Sequence, residues 1–273
     1  MSVVGEATGV IGLLGKGWGW LEDRLDPARL SAKRLIAAFE SHGIARQQII
    51  RLLPPQVLQS KPEVGMADFS LPKKLKLKLS PLLLDWAADY LNVQRAWLDG
   101  VDESPHVVID RYKRPAEYRA WLQARQAQAP EVGRWLSVWK AKGEEIGPEG
   151  SGPLCLVFQE TTEGLDGKEW SRYWLLSDEW RMDHPPCVEN MVAAVAVARS
   201  LGILVTGHDL PISKLADVAT GKLLIPQAEN HRCGRWYPED LAVPPPGKSS
   251  EWQRAVWKGA QAWLGEAHPH QPS

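Results

Sequence analysis

Apolar positions recur at helical spacing through much of the first hundred residues. Ile11, Leu14, Trp18, Leu21 and Leu25 follow one another at intervals of three and four, which is one stripe along a helix. Gly12, Gly15 and Gly19 thin a neighbouring face. Glycine costs a helix about 1 kcal/mol per position relative to alanine, so this stripe needs a partner. That partner is its own domain, a second copy through self-association, or a membrane interface, against which the acidic Glu22, Asp23 and Asp26 argue. Asp26-Pro27 opens a second helix over 28–42, with Leu35, Ile36 and Phe39 on its buried side and Gly43 as a left-handed cap. Residues 45–53 predict a short third helix that Pro54-Pro55 ends. The period then fails through Pro62, Gly65 and Pro72. From Leu71 to Leu79, leucine and lysine alternate with the period of a strand, which predicts a half-buried edge with a wet lysine face. Ser80 and Pro81 suit the N-cap and first position of a helix whose buried face carries Leu83, Ala87 and Leu91.

The pattern changes after an acidic linker, Val101 to Pro105, where a domain boundary is expected. Val107–Ile109 is a short strand candidate, and Pro115 opens a helix to about Gln128 that uses Tyr118, Trp121 and Leu122. Val132, Trp135, Leu136 and Trp139 stand at i, i+3, i+4 and i+7, which predicts an amphipathic helix. Residues 143–153 read as a loop. Leu154–Phe158 and Tyr173–Leu176 are strand-like, with an Asp166-Gly167 turn between them that predicts a hairpin. Residues 187–201 are apolar on nearly every side and predict a helix buried all round. A strand over 203–206, a helix over 212–220, an irregular stretch over 226–247 and an amphipathic helix over 251–264 complete the chain. The fold class expected is α+β: an all-α N-terminal domain, then a small mixed α/β domain with a β-hairpin and a buried helix. Four segments follow: 1–27, the glycine-rich helix; 28–104, the helical domain; 105–250, the α+β domain; and 251–273, the terminal helix and tail.

Composition narrows the classes. With 44% hydrophobic and 24% charged residues the chain is globular and not disordered. A net charge of -1 supplies no global field toward nucleic acid. The charge is uneven, however: up to Gly100 there are 13 Lys+Arg against 10 Asp+Glu, and the remainder reverses the sign with 19 against 23. The N-terminal part therefore leans toward anions. Three widely spaced cysteines without a CxxC pair predict free thiols and a cytoplasmic setting. No apolar run reaches the roughly 18 residues of a membrane span. Fourteen tryptophans, spread from Trp18 to Trp263, read as core and seam residues.

Chemical motifs are scarce. Gly15-Lys16 and Gly221-Lys222 lack the rest of a phosphate loop, and no GxGxxG follows a strand. Asp183, His184, Cys187, His231 and Cys233 are residue types that suit zinc, but Pro186-Cys187 lacks the second cysteine of a deaminase pattern, and no metal or cofactor is expected. His208-Asp209, after the strand at 203–206, is the one catalytic candidate; capping the next helix is the alternative role for Asp209. The chain is not expected to be an enzyme.

One stretch carries a family resemblance. Leu91-Asn-Val93-Gln-Arg-Ala-Trp97-Leu98-Asp-Gly100 resembles the closing helices of lambda-repressor-like helix-turn-helix domains, which commonly read L-x-V-x-x-x-W-L-x-G. The resemblance covers residues 80–100. It implies a recognition helix just upstream, for which residues 63–69 are the best candidate. It also implies a bacterial, oligomeric DNA-binding regulator. Lys73, Lys74, Lys76 and Lys78 would then contact phosphates, and Arg46, Gln47 and Gln48 would approach base edges. The layout resembles regulators that join a DNA reader to a domain binding a ligand, a protein partner or a second copy. The alternative is a non-enzymatic assembly module, of a defence or mobile-element system, that self-associates through Ile11, Leu14, Trp18, Leu21 and Leu25.

Overall fold

The computed structural model describes residues 25–177, 180–242 and 249–266. The chain divides into two compact units, Met1–Pro105 and His106–Ser273. Among the described residues no helix is long and apolar enough to cross a membrane.

Every named element before Pro105 is helical: α1 (Pro27–Ser41), α2 (Arg46–Leu52), α3 (Pro55–Leu58), a 3-10 turn (Met66–Ser70), α4 (Pro72–Leu75), α5 (Pro81–Leu91) and α6 (Arg95–Leu98). Asp26 and Ser80 cap α1 and α5 by accepting from Arg29 N and Leu83 N. Gly43, at φ +77°, ends the first turn after α1 in the left-handed region. Leu35, Ile36 and Phe39 of α1 are buried, as are Ile49, Phe69, Leu75, Leu83, Ala87 and Leu91, and α1 packs on α2, α4 and α5. The expected Leu/Lys strand is not formed. Pro72 initiates α4 and a turn follows it, so Leu75 is fully buried while Leu77 is 71% exposed. The reason is local. A strand needs a ladder partner, and no named strand exists among the described residues of this unit; a single helical turn buries Leu75 against α1 instead.

The L-x-V-x-x-x-W-L-x-G stretch is a closed piece of structure. Leu91, Val93, Trp97 and Leu98 are buried, Asn92 takes a left-handed conformation at φ 55°, and Gly100 does so at φ +82°. Gly100 is also pressed by its neighbour, since a Cβ there would lie 3.1 Å from Leu30. From α1, the Arg34 guanidinium lies 5.2 Å from the Trp97 ring centroid and donates to the carbonyls of Trp97 and Asp102.

His42, the C-cap of α1, is wholly buried with its Nδ1 2.7 Å from Ala38 O. Burial pushes its pKa down from 6.5 to about 4. The folded unit therefore holds the imidazole neutral, and the unfolded chain binds the extra proton first. Stability is full above pH 6.5 and falls as pH drops from there to about 4, by on the order of 3 kcal/mol. Urea midpoints at pH 7.5 and pH 4.5, compared with those of His42→Gln, check this. The idea fails if both proteins lose the same amount.

The second unit is a mixed sheet with helices on both faces. Its elements are α7 (Pro115–Gln128), β1 (Gly133–Ala141), β2 (Pro153–Glu163), β3 (Glu169–Leu175), β4 (Trp180–Arg181), α8 (Pro185–Ser200), β5 (Leu204–Leu210), α9 (Ile212–Ala219), α10 (Ile225–Glu229), β6 (Gly234–Trp236), α11 (Glu239–Ala242) and α12 (Glu251–Glu266). The strand order is β3-β2-β1-β5-β6, with β4 paired to the start of β2. Only the β1–β5 pair is parallel. The predicted hairpin is present, with Asp166 and Gly167 both at positive φ. So is the buried helix: α8 hides Cys187, Val188, Met191, Val192, Val195, Val197 and Ala198.

Two expectations are corrected here. Residues 133–139 lie in the strand β1, and no helix forms over 132–139. β1 is central, and Leu136, Ser137, Val138, Trp139, Lys140 and Ala141 are all buried, so covering both faces erases the period-two signal. The stretch 226–247 contains α10, β6 and α11 and is not irregular where described. The amphipathic helix expected over 251–264 is present: α12 packs on α8, with Val256 and Ala260 buried in the same core.

Alternation along the strands sorts the sheet's two cores. On one face Leu136, Val138, Leu156, Phe158 and Trp174 pack under α7 and α8. On the other, Trp139, Cys155, Val157, Tyr173 and Leu175 pack under α9 and α10.

Candidate functional site

In the helical unit the proposed phosphate contacts cluster at one turn. Lys73 and Lys74 are exposed and form no ion pair among the described residues, and Lys78 is half-buried. Lys76 is already engaged: its ammonium lies 2.5 Å from Asp26 at the head of α1, an ion pair that holds the Asp26 carboxyl below its usual range. The residues expected to approach base edges are largely committed elsewhere. Arg46 meets Glu40 at 2.7 Å and donates to Ser70 O at 2.8 Å. Gln48 accepts from Ala45 N at 3.0 Å, closing the first turn of its own helix. Gln47 is exposed.

Upstream of α5, where the resemblance leads one to expect a recognition helix, the chain forms the four-residue α3, a 3-10 turn over Met66–Ser70 and the four-residue α4. The helix expected over 63–69 is thus only a 3-10 turn. Gly65 and the prolines at 54, 55, 62 and 72 limit the run available to any helix. Between α2 and α5 no α-helix among the described residues is longer than four residues.

Of the self-association stripe, Ile11, Leu14, Trp18 and Leu21 lie outside the described residues. Leu25 is described and is 81% exposed.

In the second unit, strand geometry separates the catalytic candidates. His208 and Asp209 are consecutive in β5 and point to opposite faces. Asp209 pairs with Lys140 at 2.7 Å, and Lys140 also donates to Glu144 O at 2.6 Å. Asp209 therefore does not cap α9, whose N-cap is Pro211 without a side-chain bond. His208 stands on the other face, opposite Trp139 in the register, and its pKa is lowered by burial and then by the nearby Arg232. His208 and Asp209 face opposite sides of β5, and Asp209 is paired with Lys140, so the two do not form a His–Asp pair.

Around His208 the same face carries several polar side chains that bond to one another. Ser137 and Thr206 hydroxyls are 3.1 Å apart, Gln159 donates to Thr161 and Ser171, and Tyr173 donates to Glu229 at 2.9 Å. Among the described residues these hydroxyls and amides bond one another rather than His208.

The zinc-like residues are also dispersed. Cys187 is buried at the start of α8 beside the Tyr112 hydroxyl; His184 is the exposed N-cap of that helix; His231 and Cys233 are exposed near β6. No group of three metal-binding side chains exists among the described residues. Cys155, Cys187 and Cys233 are all free thiols.

Comparison with protein-family models, with curated proteins and with solved structures returns no match to this chain.

Proposed function

We propose that this chain is a non-enzymatic, regulator-like protein of bacterial type. Its helical unit touches duplex DNA through phosphates, and its α+β unit receives a ligand or partner. The observation that carries the reading is the exposed Lys73-Lys74 turn, set immediately before a stretch whose Trp97–Gly100 closure has the repressor-like pattern. Phosphate contact needs only accessible cations, which this turn supplies; base reading needs a groove-filling element. The reading is therefore a sequence-tolerant DNA contact, made by Lys73, Lys74 and Lys78.

Three such contacts predict that log affinity falls with log salt at a slope of about -3 on duplex DNA. Electrophoretic mobility shifts at several salt concentrations check it. The Lys73→Gln/Lys74→Gln/Lys78→Gln variant should flatten the slope to near zero. Absence of binding at low salt removes the DNA reading. In that case self-association through the stripe ending at the exposed Leu25 becomes the leading function, with the same α+β unit as the partner-binding part.

A further inference from the structure

In the helical unit, the stretch from Leu71 to Leu82 presents apolar side chains to solvent among cations. Leucine and lysine alternate there, but the chain winds instead of extending. Lys74 N, Leu75 N, Lys76 N, Leu77 N and Lys78 N each donate to a carbonyl three or four positions back. At about 100° per residue, two positions along such a coil turn a side chain by roughly 200°, to the far side. Leu75 is therefore fully buried, and Leu77 stands on the outer side at 71% exposed. Lys73, two positions before Leu75, comes to that outer side as well, with Lys74 beside it, and both are exposed. Leu71 and Leu82, which bracket the coil, are 52% and 44% exposed.

Of the four lysines, Lys76 is the committed one. Its ion pair with Asp26, at 2.5 Å, ties the coil to the head of α1, where Leu25 is 81% exposed. The same pair neutralises Asp26, one of the acids that weigh against a membrane in the sequence. Lys73, Lys74 and Lys78 form no ion pair among the described residues.

Contact with phosphates alone needs the cations and leaves the leucines in water. A protein partner would have to offer a matching pocket for each protruding leucine. A bilayer accepts such side chains anywhere on its surface, and an anionic one also supplies phosphates for the lysines around them. We infer that this coil docks on an anionic phospholipid surface. Leu71 and Leu77 enter the acyl boundary, and Lys73, Lys74 and Lys78 meet the headgroups. The lysines are those of the DNA reading; the leucines, which duplex DNA leaves unused, set the two targets apart.

The test is sedimentation of the full chain, without nucleic acid, with vesicles of phosphatidylcholine alone and of a two-to-one mixture of phosphatidylcholine and phosphatidylglycerol. The expected result is pelleting with the mixed vesicles and not with the neutral ones. Leu71→Gln/Leu77→Gln should weaken this binding about tenfold. Lys73→Gln/Lys74→Gln should weaken it about twentyfold. All four side chains are exposed, so both variants should melt at the temperature of the parent chain. Leu77→Phe, which keeps an apolar side chain, should bind at least as tightly as the parent. No pelleting with the mixed vesicles overturns the inference. A leucine variant that binds like the parent overturns it as well, since the attraction is then charge alone. The DNA reading is judged apart: the leucine variant should keep its salt slope on duplex DNA, and absence of DNA binding by the parent leaves the vesicle result standing.

Discussion

Glu160→Ala should destabilise the α+β unit by about 3–5 kcal/mol, close to unfolding a domain of ordinary stability. Glu160 is 5% exposed and sits between two guanidiniums. It accepts from Arg134 Nε at 3.0 Å and from Arg125 Nε at 3.2 Å, with Arg125 Nη2 closing the second oxygen. Arg134, itself 8% exposed, spends its other donors on the carbonyls of Val132, Arg125 and Ala129 at the end of α7. Arg125 lies 4.4 Å from the centroid of Trp174. The carboxylate therefore ties β2 to β1 and to the C-terminal end of α7. Removing it leaves Arg134 charged in a site that water does not reach. The attraction between the ions is not the main quantity here, because burying both partners already cost much of it; the uncompensated cation is what destabilises. Urea unfolding of Glu160→Ala and of Glu160→Leu/Arg134→Met separates the two effects. The double variant should recover most of the loss. A single-variant loss under about 1 kcal/mol would show that the network is solvated and weak.

Trp97→Ala should destabilise the helical unit by about 3–5 kcal/mol, the usual cost of emptying a buried indole site. Trp97 is 7% exposed, and Arg34 depends on it twice, through the ring and through the Trp97 carbonyl. The carbonyl survives the substitution and the ring contact does not. The variant therefore probes packing and the cation–π contact together, and Trp97→Phe, which keeps a smaller ring, should lose clearly less. Equal losses for the two substitutions would mean that the indole contributes no more than a phenyl ring there. The outcome also bears on function. If the Trp97–Gly100 closure supports the lysine turn only as a scaffold, both variants should retain the salt-dependent slope at temperatures where they stay folded.

Much of the architecture is legible in the sequence because its signals are local. Asp26-Pro27, Gly43 and Ser80-Pro81 announce helix ends through capping and φ restrictions that operate within four residues. Asp166-Gly167 announces a hairpin because both positions take positive φ. The solid apolar run at 187–201 can only be a buried helix or strand, and its length decides for a helix. The same reasoning fails at β1. Val132, Trp135, Leu136 and Trp139 satisfy a helical template by coincidence, because a strand covered on both faces places apolar residues without regard to period. It fails again at 71–79, where alternation is real but the described residues of that unit form no strand to complete a ladder. The triplets around His231–Trp236 were too short to show periodicity, and β6 exists because β5 offers it an edge.

Sites divide in the same way. The sequence presented Lys73, Lys74, Lys76 and Lys78 as equals, yet Asp26, fifty positions away, occupies Lys76. It presented His208 and Asp209 as neighbours, and the pleat of β5 sends them to opposite cores. It presented Leu75 and Leu77 as one apolar face, yet the helical winding buries the first and exposes the second. By itself, then, the sequence determined the class of the fold, most helices, the hairpin and the closed Trp97–Gly100 piece, since each follows from chain geometry over a few residues. Tertiary structure alone decided which strand is central, which cations are committed, and that Leu77 stands exposed among lysines while Leu75 is buried. Those facts depend on which distant groups meet, and a hydrogen bond or ion pair between residues far apart in the chain leaves no trace in the period of either segment.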